Sequence, residues 1–279
     1  EADPHTYEPA PQDAGTIADA DLVFYTGLKY EPAAVIKLLE SSACSTEVLA
    51  EVGENVFPIE FKEGGHDDHG DHDDHDEEGH DDEEGHDDEE GHDDHDGHEG
   101  HGHGAYDPHF WFDPNRVAYA TEYIESKLVE FDPSNASSYE TAGSAYTDEL
   151  KGLTGQVSDL ISTVPSQNRK LITTHESLGY LEAKFGLEVL STIIPSLDSA
   201  NEISPAQLVD VIDVIEDNNV KVIFIEAEAP SVYAETIVAE TGIKAVEGLW
   251  VETLKEGQSY PDFLISAVEL IVESLRNTD

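Results

Sequence analysis

Three histidines stand apart from the rest. Of the 14 in the chain, 11 lie in one tract, residues 63–104, which is built only from Asp or Glu (21), His (11) and Gly (10). The other three are His5, His109 and His175. Neutral imidazole is the commonest zinc ligand, and a tetrahedral site needs three or four N, O or S donors converging at about 2 Å. His5 lies in HTYEPAP, where Pro9 and Pro11 forbid a helix through the ligand. His109 lies in DPHFWFDP, between two prolines that hold it on a turn and beside aromatic rings that can exclude water. His175 follows the apolar run KLITT and precedes a helical pattern. Singly, they read as a solvated terminal residue, a hydrogen-bonded core histidine and a helix N-cap. Jointly, three histidines from three parts of the chain, each on a loop, are better explained by one site.

The tract is a second candidate. His66, His69, His72, His75, His80, His86, His92, His95, His98, His101 and His103 alternate with acids and glycine and with no apolar residue. Such a segment can bury nothing to offset its ordering entropy, so it is expected to be a disordered insert. An acidic spacer would need no histidine, so the eleven imidazoles point to an auxiliary, low-affinity zinc collector. It ends five residues before His109, close to the proposed cleft.

The elements that must position these residues follow from periodicity. TIADADLVFYTG reads as a helix end running into a short strand, EPAAVIKLLESS as an amphipathic helix, and NVFPIEF as a further strand. After the tract, NRVAYATEYIESKLVEF has helical spacing. Asp132 and Pro133 then look like a cap and first-turn proline opening one continuous helix to about Val164. Beyond it, strand and helix alternate: KLITTH, LGYLEAKFG, LEVLSTII, SPAQLVDVIDVIEDNN, VKVIFIE, SVYAETIVAETG, IKAVEGL and a last helix to Arg276. This is a βαβ pattern, hence a parallel sheet with helices on both faces and ligands at the carboxyl ends of its strands. The periodicity by itself gives an α/β chain with a helix long enough to lie across two domains; two lobes of parallel sheet flanked by helices, joined by one long helix with the metal site in the cleft between them, are what the resemblance of these segments to a known receptor family implies. The expected boundaries are 1–132 for the N-terminal lobe with its insert 63–104, 133–164 for the linking helix, and 165–279 for the C-terminal lobe.

Composition narrows the function. The chain has 279 residues, 38% of them hydrophobic, and a net charge of −50. With the tract's 21 acids set aside, 42 acids remain against all 13 Lys and Arg, a net charge of −29 over 237 residues. Nucleic acid is therefore excluded as a partner. Acids spread along every segment suit high salt, where like-charge repulsion is screened, and imply a halophilic, archaeal source. Cys44 has no partner for an intramolecular disulfide and reads as a small, half-buried residue at a helix end. No apolar run is long enough to span a membrane, and the absence of Met at position 1 suggests a processed chain whose export signal or anchor lay upstream.

HTYEPAPQD with ADLVFYTGLKYE, then DPHFWFDP, TTHESLGYLEAKFGL and IFIEAEAPSVYAETIVAETG, resemble in order the zinc-binding solute receptors of ABC importers. The resemblance implies two α/β lobes about a rigid helix, Zn²⁺ as cofactor, a membrane permease as partner, a monomer, and an extracytoplasmic location. It carries the ligands onto His5, His109 and His175. The fourth ligand in that family is an acid after the last strand, and GLWVETLKEGQSYPDFL places Glu252 where relatives have Asp. Glu226, ending VKVIFIE, is the alternative fourth ligand or a partner orienting an imidazole, and water could also complete the site. The family's first strand and helix would precede His5, and the chain as given starts without them.

The expected function is capture of Zn²⁺ and delivery to the permease, without catalysis. A manganese or other divalent-metal receptor and a metal-buffering protein are the alternatives. A zinc hydrolase is disfavoured because His175-Glu176 is followed by Tyr180 near the place where HEXXH requires a second histidine.

Overall fold

A computed structural model describes residues 3–61, 106–197, 203–229 and 231–276. The expected collector, residues 63–104, lies outside the described residues.

The C-terminal lobe follows from its sequence pattern. Strands β3 (Lys170–His175), β4 (Glu188–Ile194), β5 (Val222–Glu226) and β6 (Lys244–Leu249) form one parallel sheet in the order β4-β3-β5-β6. The central strand β5 is buried throughout, as a parallel strand covered on both faces should be. Its side chains alternate between two cores. Val222 and Phe224 pack with Leu171 and helix α8 (Tyr260–Arg276), whereas Ile223 and Ile225 pack with Ile172 and helices α6 (Pro205–Asn218) and α7 (Ala234–Thr241). The period-2 geometry of a strand thus explains why one apolar run serves two helical layers. β3 connects outward to β4 and β5 outward to β6, so the sheet's switch point lies between β3 and β5.

In the N-terminal lobe, helix α1 (Pro11–Ala18) and helix α2 (Ala33–Ser42) pack together beside a two-stranded parallel sheet of β1 (Val23–Tyr25) and β2 (Leu49–Glu51). The expected strand NVFPIEF does not form. Asn55 and Val56 close a 3-10 turn, Phe57 is left-handed (φ 54°), and only Glu60 pairs, through an isolated antiparallel bridge to Tyr106. A left-handed residue followed by Pro58, which lacks an N–H, cannot continue a ladder. The strand is instead the preceding LAE. Cys44 lies just past the end of α2 as expected, but it is exposed rather than half-buried.

The long helix is present as one continuous element, α4 (Ala136–Ser162), whose start lies three residues later than expected, after a separate helix and a 3-10 turn. Helix α3 (Pro114–Phe131) packs along α4, and between them Pro133–Asn135 make a 3-10 turn. Asp132 satisfies the Ser134 hydroxyl, the Asn135 amide and the Tyr139 hydroxyl rather than opening an α-helix at Pro133. The 27 residues of α4 span about 40 Å. Its buried face, Leu150, Leu153, Val157 and Ile161, packs against α3 and α8, and so joins the lobes through a continuous core.

Candidate metal centre

His5, His109, His175 and Glu252 meet in the cleft, each offering one ligand atom within 4.8 Å of the others. Glu252 Oε1 lies 3.0 Å from His175 Nε2, 3.2 Å from His109 Nε2 and 3.6 Å from His5 Nε2, and the two inner imidazole nitrogens are 3.4 Å apart. Donors about 2.05 Å from a central ion stand about 3.3 Å from one another in a regular tetrahedron. The observed separations scatter around that edge. The His5 Nε2 and Glu252 Oε1 atoms are buried without a hydrogen-bond partner, an expense that a protein bears at few positions.

Local sequence explains each placement. His5 and His109 both follow Asp-Pro, and both turns are built alike. Asp3 Oδ1 accepts the His5 backbone N–H and Asp107 Oδ1 the His109 backbone N–H, each at 2.9 Å. Asp107 Oδ1 also accepts His109 Nδ1–H at 2.7 Å, which turns Nε2 toward the cleft. The Asp107 backbone is fixed in turn by its N–H to Ile59 O and by the Tyr180 hydroxyl on its carbonyl. His175 ends β3, and neighbouring Glu226 ends β5 beside it. Glu226 Oε2 accepts His175 Nδ1–H at 2.5 Å, while Oε1 accepts the Ser177 hydroxyl. Glu226 therefore stands behind His175 and is not among the four converging donors. Of the two acids weighed, Glu252 is the one in the cluster.

Glu252 follows β6 on a loop that a second buried acid holds. The Glu228 carboxylate accepts backbone N–H groups from Val251, Glu252 and Thr253 and the Thr253 hydroxyl, at 3.1–3.3 Å. The Glu252 Oε2 atom accepts the Tyr30 hydroxyl at 3.0 Å. Trp111 closes the cleft: its ring packs edge-on against His109 and Tyr30, and its indole N–H donates to Val251 O at 2.7 Å.

Electrostatics follow from burial among acids. Burial disfavours a charged His109, but Glu252 and Asp107 outweigh it and lift its pKa to about 9. Burial likewise opposes charge on His175, and Glu226 with Glu252 hold it well above the usual imidazole range. For Glu252, burial pushes the carboxyl up, and the surrounding imidazoles reverse this and hold it well below the carboxylate range. Burial and then Glu252 raise the Tyr30 phenol, which keeps it a hydrogen-bond donor. A buried set of three imidazoles and one carboxylate is suited to hold a divalent cation.

Sequence reasoning assigns no role to Tyr30, Asp107 or Glu228, whereas it expects Trp111 only as one of the aromatics that exclude water beside His109. One signal was available, the repeated Asp-Pro-His at 3–5 and 107–109. Tyr30 and Glu228 carry no spacing rule, because their partner lies on a distant segment.

Comparison with known proteins identifies the family and the fold. Residues 1–274 match the family described as zinc-uptake complex component A, periplasmic. The high-affinity zinc uptake system protein ZnuA of Bacillus subtilis is 30% identical over 285 residues, covering 98% of this chain and 77% of its own. The iron-binding protein YfeA of Yersinia pestis is 23% identical over 274 residues, covering 98% and 75%. The manganese-binding lipoprotein MntA of Halalkalibacterium halodurans is 23% identical over 277 residues, covering 98% and 78%. Among solved structures, the periplasmic zinc binding protein TroA of Treponema pallidum superposes with a TM-score of 0.75 at 19% identity, over 98% of this chain and 87% of that one, which shows the same two-lobed fold. These relatives are binding components of transporters and not enzymes. Among the described residues no helix is long and apolar enough to cross a membrane. The matched length and the fold place this chain in the family of periplasmic metal-binding components of zinc-uptake complexes.

Proposed function

We propose that this protein captures Zn²⁺ outside the cell membrane through His5, His109, His175 and Glu252 and delivers it to an ABC permease. The supporting observation is the convergence of three imidazoles and one carboxylate, with ligand atoms all within 4.8 Å of one another and two of those atoms buried without a hydrogen-bond partner. The relatives named above are described as binding zinc, manganese or iron, so family membership supports a divalent ion and the donor set supports zinc. Three nitrogens and one oxygen favour Zn²⁺ over Mn²⁺, which takes more oxygen donors. Residues 1–132 and 165–279 form the lobes about the 133–164 helical segment, and the protein acts as a monomer tethered at the membrane surface.

The test is elemental analysis of the purified protein with residues 63–104 deleted, followed by calorimetry. Glu60 and Tyr106 already pair, so a short turn can close that deletion without disturbing the fold. One zinc per chain is expected, and His109→Ala or His175→Ala should weaken binding by orders of magnitude. Parental affinity in either variant would show that the site is elsewhere.

A further inference from the structure

The two oxygens of Glu252 have different surroundings. Its Oε1 faces the imidazoles, whereas Oε2 accepts the Tyr30 hydroxyl at 3.0 Å. In this state the carboxylate has one oxygen to offer an ion. An ion drawn to both oxygens would compete with the Tyr30 hydroxyl for Oε2, and loss of that hydrogen bond would leave a largely buried phenol unpaired, which costs about 1–3 kcal/mol.

The fold commits unusual backbone to placing this tyrosine. Gly27, Leu28 and Lys29 are all left-handed, with φ of 75°, 54° and 66°. For a residue other than glycine such a conformation persists only where the surroundings enforce it. Two carboxylates do so here. Glu31 accepts the backbone N–H groups of Thr26 and Gly27 at 2.6 and 2.9 Å, and Glu51 Oε1 accepts that of Leu28 at 3.0 Å. At Gly27 a Cβ would stand 1.9 Å from Glu51 Oε1, so a side chain there would displace the carboxylate that accepts the Leu28 N–H. The Tyr30 ring is then packed edge-on against His5, His109 and Trp111, with centroids 5.0, 6.2 and 5.3 Å away. Its hydroxyl has a fixed place on Glu252.

We propose that Tyr30 determines metal specificity as a positioning residue: by occupying Oε2 it holds Glu252 monodentate and fixes the coordination number at four. An ion satisfied by four donors is retained, and one that seeks additional oxygens finds none. Zn²⁺, with no geometric preference from its d-electrons, belongs to the first class and Mn²⁺ to the second. This inference rests on the divalent-metal reading above.

The variant is Tyr30→Phe, which keeps the ring and removes the hydroxyl. Zn²⁺ and Mn²⁺ affinities of parent and variant would be measured by chelator competition. Visible spectra of the Co²⁺-loaded forms would be recorded, since four-coordinate Co²⁺ absorbs strongly and five- or six-coordinate Co²⁺ weakly. The expected result is that Zn²⁺ binding weakens by about 10-fold or more, in the range for loss of a ligand's supporting hydrogen bond. Mn²⁺ binding weakens less or improves, and the cobalt bands lose intensity. Equal weakening of both ions with an unchanged cobalt spectrum would assign Tyr30 a packing role and overturn the proposal. So would a parental cobalt spectrum that is already weak. A parent that binds no divalent metal would instead refute the receptor reading on which the proposal rests.

Discussion

Metal capture in this cleft should depend steeply on pH, and His109 sets the scale. In the metal-free protein its imidazole is lifted from an ordinary 6.5 to about 9, because Glu252 and Asp107 outweigh the burial that opposes its charge. Glu226 and Glu252 raise His175 in the same direction. An incoming ion needs the lone pair on each Nε2, so an imidazolium must lose its proton as the metal binds. At pH 7 His109 stands about two pH units below its pKa. Expelling that one proton weakens the apparent affinity about 100-fold, or about 3 kcal/mol, relative to a deprotonated site. Affinity should therefore rise with pH by about tenfold per unit for each proton displaced, and level off above about pH 9.

Chelator competition from pH 6 to 9.5, with the tract deleted, would give the slope, and calorimetry in buffers of different ionisation enthalpy would count the protons released. An affinity that stays flat between pH 6 and 9, or no proton release at pH 7, would refute the reasoning, since it would mean that the imidazoles are neutral before metal arrives. The metal-free stability has the opposite sign. The folded pKa of His109 lies above its unfolded value, so its contribution is full below about pH 6.5 and is lost as pH rises toward 9. The Tm of the metal-free protein should fall across that window, while the zinc-loaded protein, stabilised by mass action, should resist.

The two acids at the strand ends should separate by role: Glu226→Gln should weaken zinc binding about 10 to 100-fold, as expected when an imidazole loses its orienting partner, and Glu252→Gln should weaken it more. A larger effect of Glu226→Gln in the same titration would reverse the assignment. Because α4 is a continuous helix of 27 residues packed against both lobes, zinc should compact the protein little. Small-angle scattering of the tract-deleted protein with and without zinc would expose a large closure if one occurs. Deleting residues 63–104 should remove several weak zinc sites and leave the tight one nearly unchanged, and loss of the tight site in equilibrium titrations would place the tract in the primary centre.

The C-terminal lobe was legible in the sequence almost element by element, because alternating βαβ segments carry two distinct hydrophobic periods and their parallel pairing leaves few arrangements. The three imidazole positions were legible for a different reason: histidine is absent from the rest of the chain outside the tract, and the motifs around His5, His109 and His175 resemble a known family. The region around Phe57 was misread, since NVFPIEF has the composition of a strand while a left-handed backbone and Pro58 deny it a ladder. The Asp132–Pro133 signal was also only half right, because that acid found side-chain partners and left a 3-10 turn ahead of α4.

What the sequence determined by itself was which residue types could bind an ion and which elements carry them. The tertiary structure decided which atoms face it. Glu226 ends one strand of the sheet, Glu252 follows another, and the two are chemically equivalent as candidates, yet the sheet places Glu226 on the Nδ1 side of His175 and the loop held by Glu228 brings Glu252 round to the Nε2 side. The partner of Glu252 is Tyr30, 222 residues away in the other lobe. A hydrogen bond of that separation leaves no periodicity or spacing in the chain, because it is set by how surfaces from distant segments meet across the cleft.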